Sequence, residues 1–198
     1  MNTQIKIALK IFILFTVLLG GIYPLVITGV AQLVFPEKAN GSLIVVDNKT
    51  IGSKLIGQNF DSDIYFSSRP SAIDYNPLPS GGSNLGLTSE KLKQQVADRK
   101  LEFVKANQLT ANMPIPSEML FASASGLDPH ILPEAAIIQV GRIENARKLN
   151  STQKQQLFQA INQLTEEPQF LFLGEARINV LKLNLELDKI DVNHIRKN

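Results

Sequence analysis

An uncharged run near the N-terminus constrains this chain more than any other feature of its sequence. Residues 11–35, IFILFTVLLGGIYPLVITGVAQLVF, contain no charged side chain. As a helix, these twenty-five residues would extend about 37 Å, which is enough to cross a bilayer core of about 30 Å with some tilt. The run therefore predicts a transmembrane helix, and with it a membrane protein.

A secretory signal peptide is the alternative interpretation of this run. Lys6 and Lys10 supply the basic segment that precedes the apolar core of a signal, and Gly29-Val30-Ala31 loosely resembles a cleavage site. The apolar core of a signal peptide is only about 7 to 15 residues long, however. The length of the run therefore favours a helix that is retained in the membrane.

Two glycines and a proline lie inside the predicted span, at Gly20, Gly21 and Pro24. Such residues loosen or kink a helix, and glycine leaves a flat surface on which a second helix can pack closely. We therefore predict that this part of the span packs against a partner helix. A lone anchor stays open as an alternative, because glycine and proline are common in membrane helices generally.

The charges that flank the span predict its orientation. Two lysines and no acidic residue precede it, whereas Glu37 and Lys38 follow it. Because basic residues are retained on the cytoplasmic side, we expect residues 1–10 to form a cytoplasmic tail, residues 11–35 the transmembrane helix, and residues 36–198 an extracytoplasmic domain.

Composition excludes several classes of protein. The chain has no cysteine, which rules out disulfides, thiolate-held metals and thiol catalysis. Its formal net charge is +2 and its basic residues are scattered, so no nucleic-acid partner is expected. Asp128 and His130 are two potential metal ligands without a third in view, and we predict no metal site.

Apolar periodicity predicts the elements of the domain that follows the span. Helices are expected at three places, residues 89–107, 133–147 and 151–165. Strands are expected at residues 43–46, 55–60 and 64–66, just after Pro116, and most clearly at 181–187, where leucines alternate with polar residues. The predicted fold is therefore α+β, with a mixed sheet covered by about three helices.

Two turn-rich segments are candidates for a functional surface. SGGSNLG, residues 80–86, lacks the lysine and the glycine spacing of a nucleotide-binding loop, so a structural bend is favoured over a phosphate site. SASGLDPH, residues 123–130, contains Ser125, Asp128 and His130, the residue types of a hydrolytic triad. Three members within six residues do not line up readily as a proton relay, and a turn capped by Asp128 is favoured. The residues alone therefore indicate a binding or scaffolding domain, with no catalytic centre.

Seven segments in order along the chain resemble the KdpC family, the C subunits of the bacterial Kdp potassium-transporting ATPase. They are GGIYPLVITGVAQLVFP at 20–36, NGSLI at 40–44, GSKLIGQNF at 52–60, YFSSRPSA at 65–72, YNPLPSGGSNLG at 75–86, SASGLDPHILPEAAIIQVGRIENAR at 123–147 and INVLKLNLELD at 178–188. Leu87 and Leu132 depart from the family pattern, which has a proline and a serine or threonine there, and this puts the local turn geometry in doubt.

The resemblance implies a non-catalytic accessory subunit in a bacterial cytoplasmic membrane. Its partners would be a channel-like potassium-translocating subunit, a P-type ATPase subunit and a small single-span subunit. ATP and potassium would be handled by the complex, and this chain would have no cofactor of its own. The family is also described as a catalytic chaperone that raises the affinity of the pump for ATP. An extracytoplasmic domain does not meet cytoplasmic ATP, so we expect any such effect to be a conformational coupling.

The turn segments suggest where the chain would meet its partners. Our hypothesis is that Arg69, Ser83, Asn84, Asp128 and His130 shape a surface that docks over the extracellular mouth of the channel-like subunit. Two other classes stay open from the residues alone. One is a stand-alone membrane-anchored extracytoplasmic binding or sensing domain, and the other is an anchored hydrolase that uses the poor triad.

Overall fold

The structure is a computed structural model, and it describes residues 2–110 and 112–191. The chain divides into two compact units, residues 1–53 and residues 54–198. The α+β class predicted from the sequence is confirmed by the elements of both units.

The first unit contains one helix, Thr3–Val34, that is long and apolar enough to cross a membrane. It consists of α1 (Thr3–Val17), a π-helical turn (Leu18–Ile22) and α2 (Tyr23–Val34). The π-helical turn contains both glycines and ends two residues before Pro24. Because Pro24 has no N–H to offer the carbonyl of Gly20 four residues earlier, the hydrogen-bond ladder widens there, and Tyr23 N–H donates to Leu18 O instead. The expected loosening of the helix is thus present.

A short helix and a hairpin complete this unit. Helix α3 (Pro36–Ala39) leads to strand β1 (Leu43–Val46), which pairs antiparallel with β2 (Lys49–Ser53). The two residues between the strands, Asp47 and Asn48, both have positive φ, as the turn of a two-residue hairpin requires. The strand predicted at residues 43–46 is confirmed.

The second unit packs helices around a small sheet. Its elements are α4 (Glu90–Ala106), a 3₁₀ turn (Ser117–Met119), β3 (His130–Ile131), α5 (Pro133–Arg147), α6 (Ser151–Leu164), β4 (Thr165–Glu166), β5 (Arg177–Asn179) and α7 (Val180–Ile190). The strand order is β3-β5-β4 and both pairings are antiparallel. The core contains Phe66 with buried residues of α5, α6 and α7.

Three of the helices begin where their sequences predict. Pro133 stands in the first turn of α5, where a missing N–H costs nothing. The Ser89 hydroxyl accepts the Leu92 N–H at the start of α4. Asn150 and Gln153 form a reciprocal capping box at the start of α6. The predictions for residues 89–107, 133–147 and 151–165 are therefore confirmed to within two residues.

The strand predicted at residues 181–187 is wrong, because this segment is helix α7. Its buried residues are Val180, Leu181, Leu183, Asn184 and Leu187, a spacing that follows the helical repeat rather than the period of two. The Asn179 side chain accepts the Lys182 N–H and caps the helix. Leu, Lys and Glu all favour helix, and in this case propensity prevailed over alternation.

The predicted mixed sheet is replaced by two small antiparallel sheets within the described residues. The segment after Pro116 forms a 3₁₀ turn, so the strand expected there is absent. Residues 55–60 and 64–66 are irregular and not strands. The Tyr65 N–H donates to the Ser62 carbonyl, and the other hydrogen bonds of the 64–66 backbone are made to side chains.

Candidate functional site

Residues 62–68 begin in a turn, which the Tyr65 N–H closes on the Ser62 carbonyl at 3.0 Å, and buried side chains bond the segment in place of a neighbouring strand. The Arg142 guanidinium, on α5, donates to the carbonyl oxygens of Asp63 at 2.6 Å and Tyr65 at 3.0 Å. The same side chain donates to Gln139 Oε1 at 2.9 Å and to Asn107 Oδ1 at 3.0 Å. Arg142 is only 5 % exposed, so little water competes for its charged N–H groups, and the hydrogen bonds that they donate are strong.

Two buried amides, those of Gln139 and Asn184, bond the same segment, and together with Arg142 and Arg147 they form a clamp on residues 62–68. Asn184 accepts the Phe66 N–H at 2.8 Å and donates to the Phe66 carbonyl at 3.0 Å. Gln139 Oε1 accepts the Ser67 N–H at 2.8 Å. An amide that both accepts from and donates to one residue replaces the pair of bonds that a strand neighbour would make. The clamp is the reason why this segment is ordered without belonging to a sheet.

Arg147 holds the start of the same segment. Its side chain is fully buried, donates to the Ile64 carbonyl and to Asp188 at 2.7 Å each, and lies over the Tyr65 ring at 4.8 Å. Burial, together with the charge and the hydrogen bond of Asp188, raises the pKa of Tyr65. The rigid segment therefore delivers Arg69, its continuation, to a defined position.

Arg69 and Asp128 form an ion pair at 2.7 Å between Nη1 and Oδ2. The other Asp128 oxygen accepts the His130 N–H at 3.0 Å, and His130 Nδ1 lies 3.6 Å from it. Burial by itself would raise the pKa of Asp128, but the hydrogen bonds from His130 and the charge of Arg69 outweigh burial and lower that pKa. The predicted turn capped by Asp128 is present, and its carboxylate stays ionised.

The two turn-rich segments of the sequence lie against each other. Ser80 Oγ and Gly81 N–H both donate to the Ser125 carbonyl at 3.0 Å. Gly126 has a φ of +71°, and a Cβ there would meet the Ile73 side chain and lie 2.9 Å from the Gly81 carbonyl. Only glycine fits this position without strain. The loops 80–86 and 123–130 therefore form one joined surface.

A second close approach fixes the far side of loop 123–130. Gly57 N–H donates to the Leu127 carbonyl at 2.8 Å. A Cβ on Gly57 would lie 2.5 Å from the Asp128 carbonyl oxygen, a distance that backbone atoms do not tolerate. Asp128 is therefore positioned from two sides, by Arg69 and by this backbone contact.

A cleft of about 400 Å³ opens beside the ion pair. It is lined by Arg69, Glu118, Asp128, His130, Glu175 and Arg177 among others. Burial raises the pKa of Glu118 even though its carboxylate accepts the Leu132 N–H at 2.5 Å.

A larger open cleft of about 470 Å³ lies between α4 and the loop that carries Tyr75.

The structure brings together three of the five predicted surface residues, namely Arg69, Asp128 and His130. Ser83 and Asn84 are exposed on the loop that reaches this cluster through Ser80 and Gly81. The triad geometry is absent among the described residues, because the Ser125 hydroxyl accepts the Leu127 N–H and Asp128 is engaged by Arg69. Within residues 2–110 and 112–191, no three His, Cys, Asp or Glu side chains are grouped so as to hold a metal ion.

Sequence reasoning missed the polar residues that build the clamp, namely Gln139, Arg142, Arg147 and Asn184. For two of them, the position within the sequence of α5 was a usable signal. Gln139 and Arg142 are buried on α5 beside Ala136, Val140 and Ile143, which give this face of the helix its apolar character. A polar residue within a buried stripe must find partners, which predicts a buried network.

Comparison with known proteins identifies the family. The family described as "K+-transporting ATPase, c chain" matches residues 5–189. The chain belongs to the KdpC family. A protein named "Potassium-transporting ATPase KdpC subunit" from Geotalea uraniireducens is 48 % identical over 191 residues, covering 94 % of this chain and 98 % of that protein.

Two further KdpC-family relatives carry the same name. The protein from Dechloromonas aromatica is 46 % identical over 193 residues, covering 96 % of this chain and 99 % of its own length. The protein from Koribacter versatilis is 50 % identical over 176 residues, covering 87 % and 88 % respectively. The family resemblance of the sequence is therefore confirmed over nearly its whole length.

Proposed function

We propose that this chain is a non-catalytic accessory subunit of a potassium-transporting P-type ATPase complex. Membership of the KdpC family, which is described as the c chain of a K+-transporting ATPase, supports this proposal. In the complex the chain supports assembly and tunes the ATPase, while ATP hydrolysis and potassium transfer take place on other subunits. The partners are a channel-like potassium-translocating subunit, a P-type ATPase subunit and a small single-span subunit.

The observation that carries the docking part of the proposal is the rigid pair of loops around the Arg69–Asp128 ion pair. Both loops are fixed by backbone contacts at Gly57, Gly81 and Gly126. A surface whose shape is set before binding loses little conformational entropy when a partner docks. We propose that this surface, including Ser83, Asn84 and His130, docks over the extracellular mouth of the channel-like subunit.

The topology proposed for the chain follows from its flanking charges. Residues 1–10 lie in the cytoplasm, one helix crosses the bacterial cytoplasmic membrane, and the main domain lies outside. In this arrangement the domain does not contact cytoplasmic ATP. Any influence of the chain on the affinity for ATP is then a coupling transmitted through partner subunits or through the span.

The experiment is co-purification from membranes of potassium-starved cells. The chain is tagged at its C-terminus, extracted in mild detergent, and assayed for associated subunits and potassium-stimulated ATP hydrolysis. Recovery of a P-type ATPase with activity supports the proposal. Recovery of the chain alone, from membranes in which the partner subunits are demonstrably present, contradicts it and favours a stand-alone binding or sensing domain.

Variants of the loop surface test the docking part. Asp128→Ala removes the acceptor of Arg69, and Ser83→Trp or Asn84→Trp places a bulky side chain on the exposed loop. We expect each to reduce recovery of the partner subunits at least fivefold. Glu90→Ala, which removes an exposed ion pair with Lys93 on α4, is the matched control and leaves recovery unchanged. Unchanged assembly and activity in all three loop variants would sink the docking hypothesis.

A further inference from the structure

A hairpin of four consecutive large apolar residues projects from the second unit. Phe170, Leu171, Phe172 and Leu173 are 79 %, 88 %, 76 % and 51 % exposed. They lie in the connection between β4 and β5. Single exposed apolar side chains are ordinary on a protein surface, but a contiguous run of this kind marks a contact site.

The hairpin is a built turn rather than a loose loop. Gln169 N–H donates to the Leu173 carbonyl and Leu173 N–H donates to the Gln169 carbonyl, each at 2.9 Å. β4 and β5, on either side of it, pair with each other in the sheet. The apolar side chains are therefore presented on a hydrogen-bonded turn between two paired strands.

The residues at the tip are the wrong ones for the turn that they make. Phe170 and Leu171 have φ values of +53° and +69°. They are the central residues of the turn that the Phe172 N–H closes on the Gln169 carbonyl at 3.3 Å. A turn with positive φ at both central residues is of type I′, and asparagine and glycine adopt this conformation easily whereas bulky side chains do not. Phe-Leu is therefore disfavoured here twice, by its backbone conformation and by its exposure to water. Such a conflict is expected where a side chain serves a contact outside the chain.

Charge around the hairpin indicates what the contact is. Glu166, Glu167 and Glu175 flank the tip on both sides. Glu166 is neutralised by Arg177 at 3.2 Å and Lys182 at 3.5 Å, whereas Glu167 and Glu175 have no ion-pair partner within residues 2–110 and 112–191. Acidic flanks repel the anionic headgroups of a bacterial membrane, where basic flanks would be needed. They complement a protein surface with basic residues.

We propose that residues 169–173 form an apolar anchor that inserts into a pocket of a partner subunit whose rim carries basic residues. The inference rests on the proposed function, because the partner is a subunit of the potassium-transporting complex. The base of the hairpin, Gly174 to Arg177, also lines the cleft beside the Arg69–Asp128 ion pair. The anchor and the loop surface are therefore neighbours on the same unit.

The decisive variant improves the turn while it removes the anchor. Phe170→Asn combined with Leu171→Gly installs the Asn-Gly pair that this turn prefers, so the fold is retained. The full-length variant is expressed with the whole complex, and its recovery with the tagged P-type ATPase subunit is measured. Leu101→Gln, at a 69 % exposed leucine on α4, is the matched control. We expect at least a tenfold loss of recovery for the double variant and no loss for the control.

A cross-link identifies what the hairpin touches. The chain has no cysteine, so Leu171→Cys provides a single site on this chain for a benzophenone maleimide, which is attached to the purified chain before the complex is assembled. We expect a cross-link to a partner subunit from residue 171 and none from Leu101→Cys. A cross-link to lipid alone, or to a second copy of this chain, overturns the proposed partner.

The outcomes separate this inference from the proposed function. If the wild-type chain does not co-purify with the ATPase, the proposed function fails and the inference fails with it. If the wild type co-purifies and the Asn-Gly variant does so equally well, only the anchor is overturned. Loss confined to the Asn-Gly variant, with the cross-link to a partner subunit, supports it.

Discussion

Two segments of the second unit differ in how their backbone is hydrogen-bonded and in whether their apolar side chains are buried. Residues 62–68 belong to no sheet, yet buried side chains of α5 and α7 bond their backbone and Phe66 is fully buried. Residues 168–174 make a regular turn with their own backbone bonds, yet their apolar side chains face water. The first segment is completed by the chain itself. The second is left to be completed by something else, which is what a subunit surface requires.

Removal of Arg142, the centre of the clamp, should have the largest effect on stability. Arg142→Met keeps the bulk of the side chain but leaves the carbonyls of Asp63 and Tyr65 without their charged donors. Since each such bond contributes about 1.5–3 kcal/mol, we expect the free energy of unfolding to fall by about 3 kcal/mol or more. Urea unfolding of the full chain in detergent measures this, with Arg142→Lys losing less. An unchanged midpoint for Arg142→Met would show that the clamp contributes nothing.

Asn184→Leu tests the amide that imitates a strand neighbour. The substitution is apolar and of similar size, but it leaves the Phe66 N–H and carbonyl buried without partners. We expect a loss of about 2 kcal/mol, the penalty for unpaired backbone groups. Lys189→Leu, on the exposed face of α7, is the control and should change stability by less than about 0.5 kcal/mol. Equal effects of the two variants would contradict the role of the amide.

Glycine substitutions on and off the loop surface should have opposite signs. Gly126→Ala forces a Cβ into the Ile73 side chain at a φ of +71°, and we expect a loss of about 1–2 kcal/mol. Gly141→Ala, on the exposed face of α5 with open space around it, should gain about 0.5–1 kcal/mol from helix propensity. Thermal unfolding of both variants in one detergent decides the comparison, and a gain for Gly126→Ala would refute the close contact of the two loops.

Ionisation of Tyr75 should lower the free energy of unfolding as the pH rises above about 10. Its hydroxyl donates to the Arg69 carbonyl, and its pKa is raised to about 12, mainly by burial and further by the charges of Asp61 and Asp128. Below pH 10 the phenol is neutral whether the chain is folded or unfolded, so its contribution is complete. Between about pH 10 and 12 the unfolded chain ionises first and the contribution is lost.

The corresponding measurement is unfolding between pH 9 and 12 for the wild type and Tyr75→Phe. After allowance for solvent screening, we expect the wild type to lose about 1 kcal/mol more than the variant over this range. Parallel curves for the two proteins would show that Tyr75 does not titrate in this way.

The smallest expected effect concerns the hairpin, and its sign is the informative part. Phe170→Asn with Leu171→Gly should raise the stability of the isolated chain by about 0.5 kcal/mol, because positive φ no longer strains bulky residues. Thermal unfolding in detergent checks it. A clear loss of stability would mean that these side chains already support the fold, which would remove the contrast with residues 62–68.

The sequence predicted elements whose signals are local. The helices that start at Glu90, Pro133 and Ser151 carry their own caps and apolar faces, and the first strand ends in a turn-forming pair. The strand prediction for residues 181–187 was wrong because the spacing of the leucines fits the period of two of a strand and also the helical repeat. Leu183 and Leu187 lie about one helical turn apart. Its helix propensity and the cap at Asn179 were the better guides.

The candidate site was predictable only in part. Glycine-rich turns located both loops, and Arg69, Asp128 and His130 do meet in the folded chain. Their joining depends on long-range partners. Arg142 lies 79 and 77 residues along the chain from Asp63 and Tyr65, whose carbonyls it binds, and Asn184 lies 118 residues from Phe66. The exposed hairpin at residues 169–173 is not predictable from the sequence, because Phe-Leu-Phe-Leu is typical of a buried strand. The structure shows those side chains exposed.

Hydrogen exchange on the isolated chain and on the assembled ATPase complex distinguishes the segment that the chain itself completes from the segments that a partner covers. The amides of Phe66 and Ser67 should be protected in both samples, because the clamp lies within the chain. The amides of residues 169–173, together with those of loop 80–86, should exchange more slowly in the complex than in the isolated chain, because docking covers them. Equal exchange of the hairpin in both samples would contradict the account, because the apolar surface would then remain uncovered after assembly.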